Sequence, residues 1–335
     1  CQQTDNPNAV LDYLDPNEKP TTEMKNFQNQ WGQRAVGLNF IDHQLSKKPV
    51  VEHQAESSCY AIRVAEEAIK RFRNIAFSEN FMTHRIAFLY GRVNKITGKI
   101  TVHCSCEPEQ TNAADHVVVS DDFDLTLPTL IADNFGMECV GMAISHKYEK
   151  NYPMTQYMIQ LAAYYQNLFS EYFTTLVITP NPDDENKIQI EAFQVSDAAM
   201  KMDIDQYFVP SDDAHVVKFK EELLVLGRRR DSVDVNALLC AVRIRHTHSK
   251  FLSNDFPNPS QFPTPNDLKA YLKDKEMMPS WCRLFDFNLL IYLATYSIIP
   301  ENAIPGVVAS IVAMQEIPTQ IMKRIQDFIQ ENATE

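Results

Sequence analysis

Few side chains able to do chemistry stand at spacings that bind a metal or activate a nucleophile. His246-Thr247-His248 is a His-x-His unit. On a strand its two imidazoles share a face, so two-point metal binding is geometrically allowed. Zinc needs at least three protein donors, and no Asp or Cys partner is evident, so exposure is the favoured reading. Cys104-Ser105-Cys106 follows His103. On a strand the two thiols share a face with His103 opposite, and buried apolar thiols are the favoured reading. There is no Cys-x-x-Cys, no Gly-x-Ser-x-Gly elbow and no Gly-rich phosphate loop, with only 8 glycines in 335 residues.

The elements around these residues follow from periodicity. Cys1–Ser58 is polar, rich in Asn, Gln and Pro, and is expected to be irregular. Ile62, Ala65, Ala68, Ile69 and Phe72 recur at helical spacing and predict a helix over 60–73. "RIAFLYGRV" (85–93) and "GKITVHCSCE" (98–107) read as two strands of a hairpin. "LTLPTLIADNFG" predicts a helix stopped at Gly136, and "MECVGMAISH" (137–146) a buried strand. A long amphipathic helix follows, capped by Thr155, then two strands around an Asn-Pro-Asp-Asp turn and a short helix at "DAAMKM".

Beyond residue 205 "NALLCAVRIRHTH" predicts one strand. Residues 255–265, with four prolines, must be loop. Helical patterns follow over 267–273, 284–297, 304–313 and 318–330. The expected organisation is therefore an irregular region over 1–58, an α/β (α+β) domain over 59–205 and a mostly helical domain over 206–335.

Bulk properties exclude several function classes. The formal net charge is −13, which argues against general nucleic-acid binding, because neutralising phosphates requires clustered cations. Arg228-Arg229-Arg230 is short and reads as a solvated loop. Seven cysteines without regular spacing do not suggest a disulfide framework and fit a reducing compartment. The longest apolar run, 289–299, is too short to span a bilayer and reads as a buried helix. The chain opens on Cys1 rather than Met and is expected to be a fragment.

Four segments carry a recognisable order: "HRIAFLYGRV" (84–93), "SCEPEQ" (105–110), "GMECVGMAIS" (136–145) and "IQIEAFQVSDAAM" (188–200). They resemble the MPN domain of JAMM deubiquitinases. More closely they resemble the nuclear protein localization protein 4 family, whose C-terminal segment is echoed by "NDLKAYLKDKEMMPSWCRLFDFNLLIYLATYSIIP" (266–300). The likeness covers roughly three quarters of the chain, and its specificity lies in the order and spacing of the segments.

An active JAMM enzyme holds zinc through a His-x-His unit and an aspartate, with a glutamate as general base. The family pattern places the glutamate position at His84, the histidine positions at Ile144 and His146, and the aspartate position at Tyr157, or at Met158 with one residue of slack. One histidine in its family place cannot hold catalytic zinc, and metal-free water is not acidic enough to yield hydroxide at neutral pH. No cofactor is expected, and His146 is read as a surface histidine at a strand end.

The resemblance implies a catalytically inactive, ubiquitin-binding adaptor. It would deliver polyubiquitinated proteins to the AAA ATPase valosin-containing protein, together with the ubiquitin fusion degradation partner protein, for extraction and degradation. That role implies cytoplasmic and nuclear location and recruitment to the ER surface through partners. Family zinc fingers precede the MPN domain; with Cys1 and Cys59 unpaired, they are expected to be degenerate or truncated here. Tyr90, Phe193 and Gln194, on family-matching strands, are candidate ubiquitin contacts. Core packing is favoured for Phe193, and both readings stay open for the other two. Two alternatives remain: a divergent metalloprotease using His84, His146 and a carboxylate such as Glu149, or a silent MPN scaffold subunit of a larger assembly.

Overall fold

The structure, a computed structural model, describes residues 48–248 and 251–333. Expectations placed on residues 1–47, including the finger remnant at Cys1, lie outside the described residues. The chain is of the α/β class, built on a mixed eight-stranded sheet.

The middle of that sheet is β3 (Arg85–Asn94), paired antiparallel to both β4 (Lys99–Cys106) and β7 (Glu138–Ser145). The apolar run of β3 does not alternate with polar residues because both faces are covered. Ile86, Phe88 and Tyr90 enter one core, while Ala87 and Leu89 enter the other. Each such large side chain contributes roughly 1.5–3 kcal/mol by leaving water. Outward from β7 lie β8 (Thr174–Asn181), parallel, and β9 (Asp184–Val195), antiparallel. Outward from β4 lies β2 (Ala61–Ala65), parallel.

The helix expected over 60–73 starts only at Glu66: α1 is Glu66–Ser78, and 61–65 form β2. Ile62 and Val64 are β-branched and fully buried, and pairing of β2 with β4 overrides the local helical spacing. Ala68, Ile69 and Phe72 of α1 then cover the second face of the sheet. On the first face lie α2 (Thr126–Asn134), α3 (Gln156–Phe169) and α4 (Asp197–Ile204), close to where periodicity placed them. Thr155 caps α3 by accepting from the Met158 amide at 3.4 Å.

Two family-matching motifs hold strands in register. Gln110 opens β5 (Gln110–Asn112), which pairs with β6 (Val117–Val119), and its side chain mimics a strand neighbour of β3: its Oε1 accepts from Ile86 N and its Nε2 donates to Ile86 O, both at 2.9 Å. Glu107 is buried and accepts from Arg85 Nε at 2.6 Å. Gly91, beside a bulge in β3, must lack a side chain, because a Cβ there would lie 2.0 Å from the Thr101 carbonyl oxygen.

The expectation of a mostly helical segment from 206 fails over residues 208–247, which are largely extended. β10 (Phe208–Val209), β11 (Val216–Val225) and β12 (Arg228–Asp234) form a small sheet with β1 (Val50–Val51). Arg228–Arg230 is therefore strand rather than loop, registered on Val225, Leu224 and Leu223. The single strand expected at 236–248 is two, β13 (Leu239–Ala241) on β9 and β14 (Arg243–Thr247) on β2, one at each edge of the large sheet. These strands find their partners far away in sequence, which local periodicity cannot register.

Helices do dominate from residue 265. α5 (Pro265–Asp274), α6 (Ser280–Arg283), α7 (Phe287–Thr295), α8 (Ile304–Val312) and α9 (Thr319–Asn332) follow one another. The apolar α7 is buried, and Phe287 packs 5.0 Å from Tyr90 between ring centroids, joining this helical layer to the sheet. Among the described residues no helix is long and apolar enough to cross a membrane.

Candidate functional site

Pairing of β3 with β7 sets Arg85 opposite Ser145 and Ile86 opposite Ile144. The residues just beyond, His84 and His146, consequently meet at one end of the sheet, with ring centroids 5.5 Å apart. The first turn of α3 brings Tyr157 to 6.5 Å from His84. Ile144 is fully buried in the adjoining core. The strand and helix framework therefore gathers three of the four residues singled out from the family pattern at one point, with Ile144 one step behind.

His146 is not on the surface, as expected, but only 1% exposed; His84 is 4% exposed. The strand end is roofed by the turn before α3, and His146 Nε2 lies 3.1 Å from the Pro153 carbonyl oxygen. A carbonyl can only accept, so Nε2 carries the proton and Nδ1 presents a lone pair. The Nδ1 atoms of both histidines are buried without a hydrogen-bond partner. Burial pushes the His84 imidazolium down to about 4, helped by neighbouring His146, and burial also lowers His146. Both rings are neutral at pH 7.

The nearby carboxylates are committed elsewhere. Glu149 pairs with His215, whose ring stacks on Tyr152 at 4.0 Å. Asp115 pairs with His116 at 2.8 Å. The Tyr157 hydroxyl donates to the Val117 carbonyl. Two imidazoles, a phenol and an alkyl chain do not make the donor set that hydrolytic zinc needs. Among the described residues no three His, Cys, Asp or Glu side chains are grouped to hold a metal ion. The residues present do not fit the zinc of a working JAMM site.

Other singled-out residues fall in structural roles. Tyr90 is fully buried against Phe287, so it offers no surface to a partner. Gln194 is 2% exposed; its Oε1 accepts from Cys59 N at 2.8 Å, and its Nε2 donates to the carbonyls of Glu171 at 2.7 Å and Phe173 at 3.0 Å. It clips the segment before β2 to β9 and is no docking residue. Phe193 is half-buried and packs against the core beneath β9. Cys104 and Cys106 are fully buried thiols, and His246 and His248 are exposed.

One feature escaped sequence reasoning altogether. A cleft of about 450 Å³ lies between α1 and the loop after β14, lined by Glu67, Lys70, Arg71, Asn74, Asn254 and Asp255 among others. Asp286, fully buried, fixes the loop by accepting from the amides of Asp255 at 2.7 Å and Phe256 at 3.1 Å. Asn254 spends its Oδ1 on the Ser105 amide at 3.1 Å, and its Nδ2 has no partner. Arg71 reaches across to the Asp255 carbonyl and, at 3.2 Å, to Gln261 Oε1. The polar stripe 67, 70, 71, 74 on one helix face was readable in the sequence; the loop facing it was not.

Comparison with known proteins now bears on this arrangement. The chain is 26% identical over 270 residues to NPL4-like protein 2 of Arabidopsis thaliana, covering 76% of this chain and 65% of that protein. It is 27% identical over 310 residues to the nuclear protein localization protein 4 homolog of Dictyostelium discoideum, covering 88% of this chain and 49% of the relative. The chain is thus similar over most of its length, at low identity, to proteins named for the nuclear protein localization protein 4 family. An NPL4-like protein of Oryza sativa subsp. japonica matches at 26% over 295 residues, 83% of this chain and 71% of its own length. The chain thus spans about half to two thirds of the first two relatives. No family model matches it.

Proposed function

We propose that this chain is a non-catalytic, ubiquitin-binding adaptor that presents polyubiquitinated proteins to an AAA ATPase unfoldase, as the family resemblance suggests. The observation that carries this reading is the end of the central sheet. Where an MPN hydrolase would keep zinc donors, this framework holds His84, Ile144, His146 and Tyr157, a set short of the three donors that hydrolytic zinc needs. In this reading residues 59–205 are an inactive MPN-like unit and 206–335 a second unit. The second unit lends β13 and β14 to the sheet of the first and supplies the loop facing α1.

The cleft between α1 and that loop is the proposed path for a ubiquitin segment. Its walls offer side-chain amides and charges of both signs, which suit an extended backbone better than a small apolar ligand. The net charge of −13 favours approach of basic protein surfaces. The ATPase is proposed to be valosin-containing protein or its counterpart, with the ubiquitin fusion degradation partner alongside, in cytoplasm and nucleus and at the ER surface.

The test is co-purification of the full chain with polyubiquitin and with the ATPase, beside an isopeptide-cleavage assay in added zinc. Retention of both partners without cleavage is the expected result. Cleavage with stoichiometric zinc would replace the adaptor by a divergent metalloprotease. A stable MPN partner without ubiquitin binding would replace it by a scaffold subunit.

A further inference from the structure

The β11–β12 hairpin carries charge and exposure that the adaptor site does not use. Arg228-Arg229-Arg230 is the sole run of three cations in a chain of net charge −13. All three residues are exposed, and they open β12. β12 and β1 both pair with Leu224 and Val225 of β11, so they occupy opposite edges of that strand. The far edge of β12 consequently has no strand partner among the described residues. Arg228 and Arg230 form no ion pair among the described residues.

The hairpin tip adds a second, independent observation. Leu226 and Gly227 both have positive φ, 48° and 76°, as a two-residue turn with the twist of the flanking strands requires. Asn, Asp or Gly normally fills the first position; a leucine there is strained and is held 61% exposed. An apolar knob thus stands beside a cationic strip on an open strand edge.

We propose that the open edge of β12 docks an extended acidic segment of a partner protein, which adds to the small sheet as a further strand. Arg228 and Arg230 are two residues apart and share a face, because their cross-strand neighbours Val225 and Leu223 do. They match two carboxylates spaced acidic-x-acidic, about 7 Å apart along an extended chain. The unpaired backbone of β12 supplies sequence-independent hydrogen bonds, and Leu226 takes an apolar side chain at the end of the segment. The remainder of the chain is net acidic and repels such a segment, which fixes its position on this edge.

The experiment uses the full chain and a fluorescein-labelled peptide of about ten residues, alternating Glu with Val and Thr. Fluorescence anisotropy at 150 mM salt is expected to show saturable binding. R228E/R230E weakens that binding by about tenfold or more, while R228K/R230K retains part of it. Amide exchange slows at Arg228–Asp234 in the complex, a signature that nonspecific charge attraction does not produce. Because both arginines are exposed, thermal unfolding of the variants checks that they remain folded. Absence of saturable binding would mean that the arginines merely guard a strand edge against aggregation, and would overturn the proposal. Equal binding of a Lys-substituted peptide, unchanged affinity in R228E/R230E, or binding to phosphatidylserine vesicles without binding to the peptide would overturn it equally.

Discussion

Replacing Arg85 with Met removes the cation of the buried pair that anchors β3 beside the candidate site, together with its solvent-screened contact to the exposed Glu79 at 2.8 Å. Arg85 is nearly buried, Glu107 fully so, and Nε to Oε1 is 2.6 Å. Glu107 also accepts from Gln110 Nε2 at 3.1 Å, while its Oε2 has no partner. Burial already lifts the Glu107 carboxyl above its ordinary 4.5, with Arg85 as the main opposing influence. Without Arg85 the cheapest response is for Glu107 to bind a proton.

Protonating a carboxyl of pKa 4.5 at pH 7 costs 2.5 pH units, or about 3.4 kcal/mol at 1.36 kcal/mol per unit. At pH 5 the same step costs about 0.7 kcal/mol. Both figures are ceilings, because Glu107 is partly shifted in the native pair. Arg85→Met is therefore expected to lose up to about 3 kcal/mol near neutrality, and the loss shrinks as the pH falls toward 5. The double variant Arg85→Met/Glu107→Leu, which leaves no buried charge, recovers most of it. Denaturant unfolding followed by tryptophan fluorescence at pH 7 and pH 5 reads both effects. A loss independent of pH, or a double variant as damaged as the sum of its singles, would refute the reasoning.

Three further expectations follow from other contacts. Gly91→Ala drives a Cβ against the Thr101 carbonyl and is expected to cost about 2–3 kcal/mol, read as a lowered denaturation midpoint. The His84 imidazole ordinarily titrates at 6.5 but is held down to about 4 in the fold. Its contribution is thus complete above pH 6.5 and is lost as the pH falls through 4; His84→Phe should flatten that part of the stability profile. Lys70→Glu in the cleft should weaken polyubiquitin retention while leaving thermal unfolding within about 0.5 kcal/mol of the parent. Equal retention would remove the cleft from the binding path.

Local pattern sufficed wherever an element carried its own signal. The β3–β4 hairpin was legible because Gly98, at φ 60°, and the Asn94 side chain, which accepts from the amides of Ile96 and Thr97, make the turn by themselves. The end of α2 and the start of α3 were legible through Gly136 and Thr155 for the same reason. The spacing of residues 84, 144, 146 and 157 against a known pattern also singled out positions of which the fold brings 84, 146 and 157 together.

Partnership between distant segments was decided by tertiary structure alone. Ala61–Ala65 has the spacing of a helix but lies as a strand between β4 and β14, because only there are Ile62 and Val64 buried. For Tyr90 and Gln194 the sequence left partner contact and core packing both open, and α7 and the segment at Cys59 cover them. His146 became a buried lone-pair donor only when the turn before α3 closed over the strand end. The cleft exists only because Asp286 holds the loop after β14 opposite α1. A sequence specifies each element by energies that act within a few residues; burial and pairing depend on which distant surface arrives, and that is settled only by the folded whole.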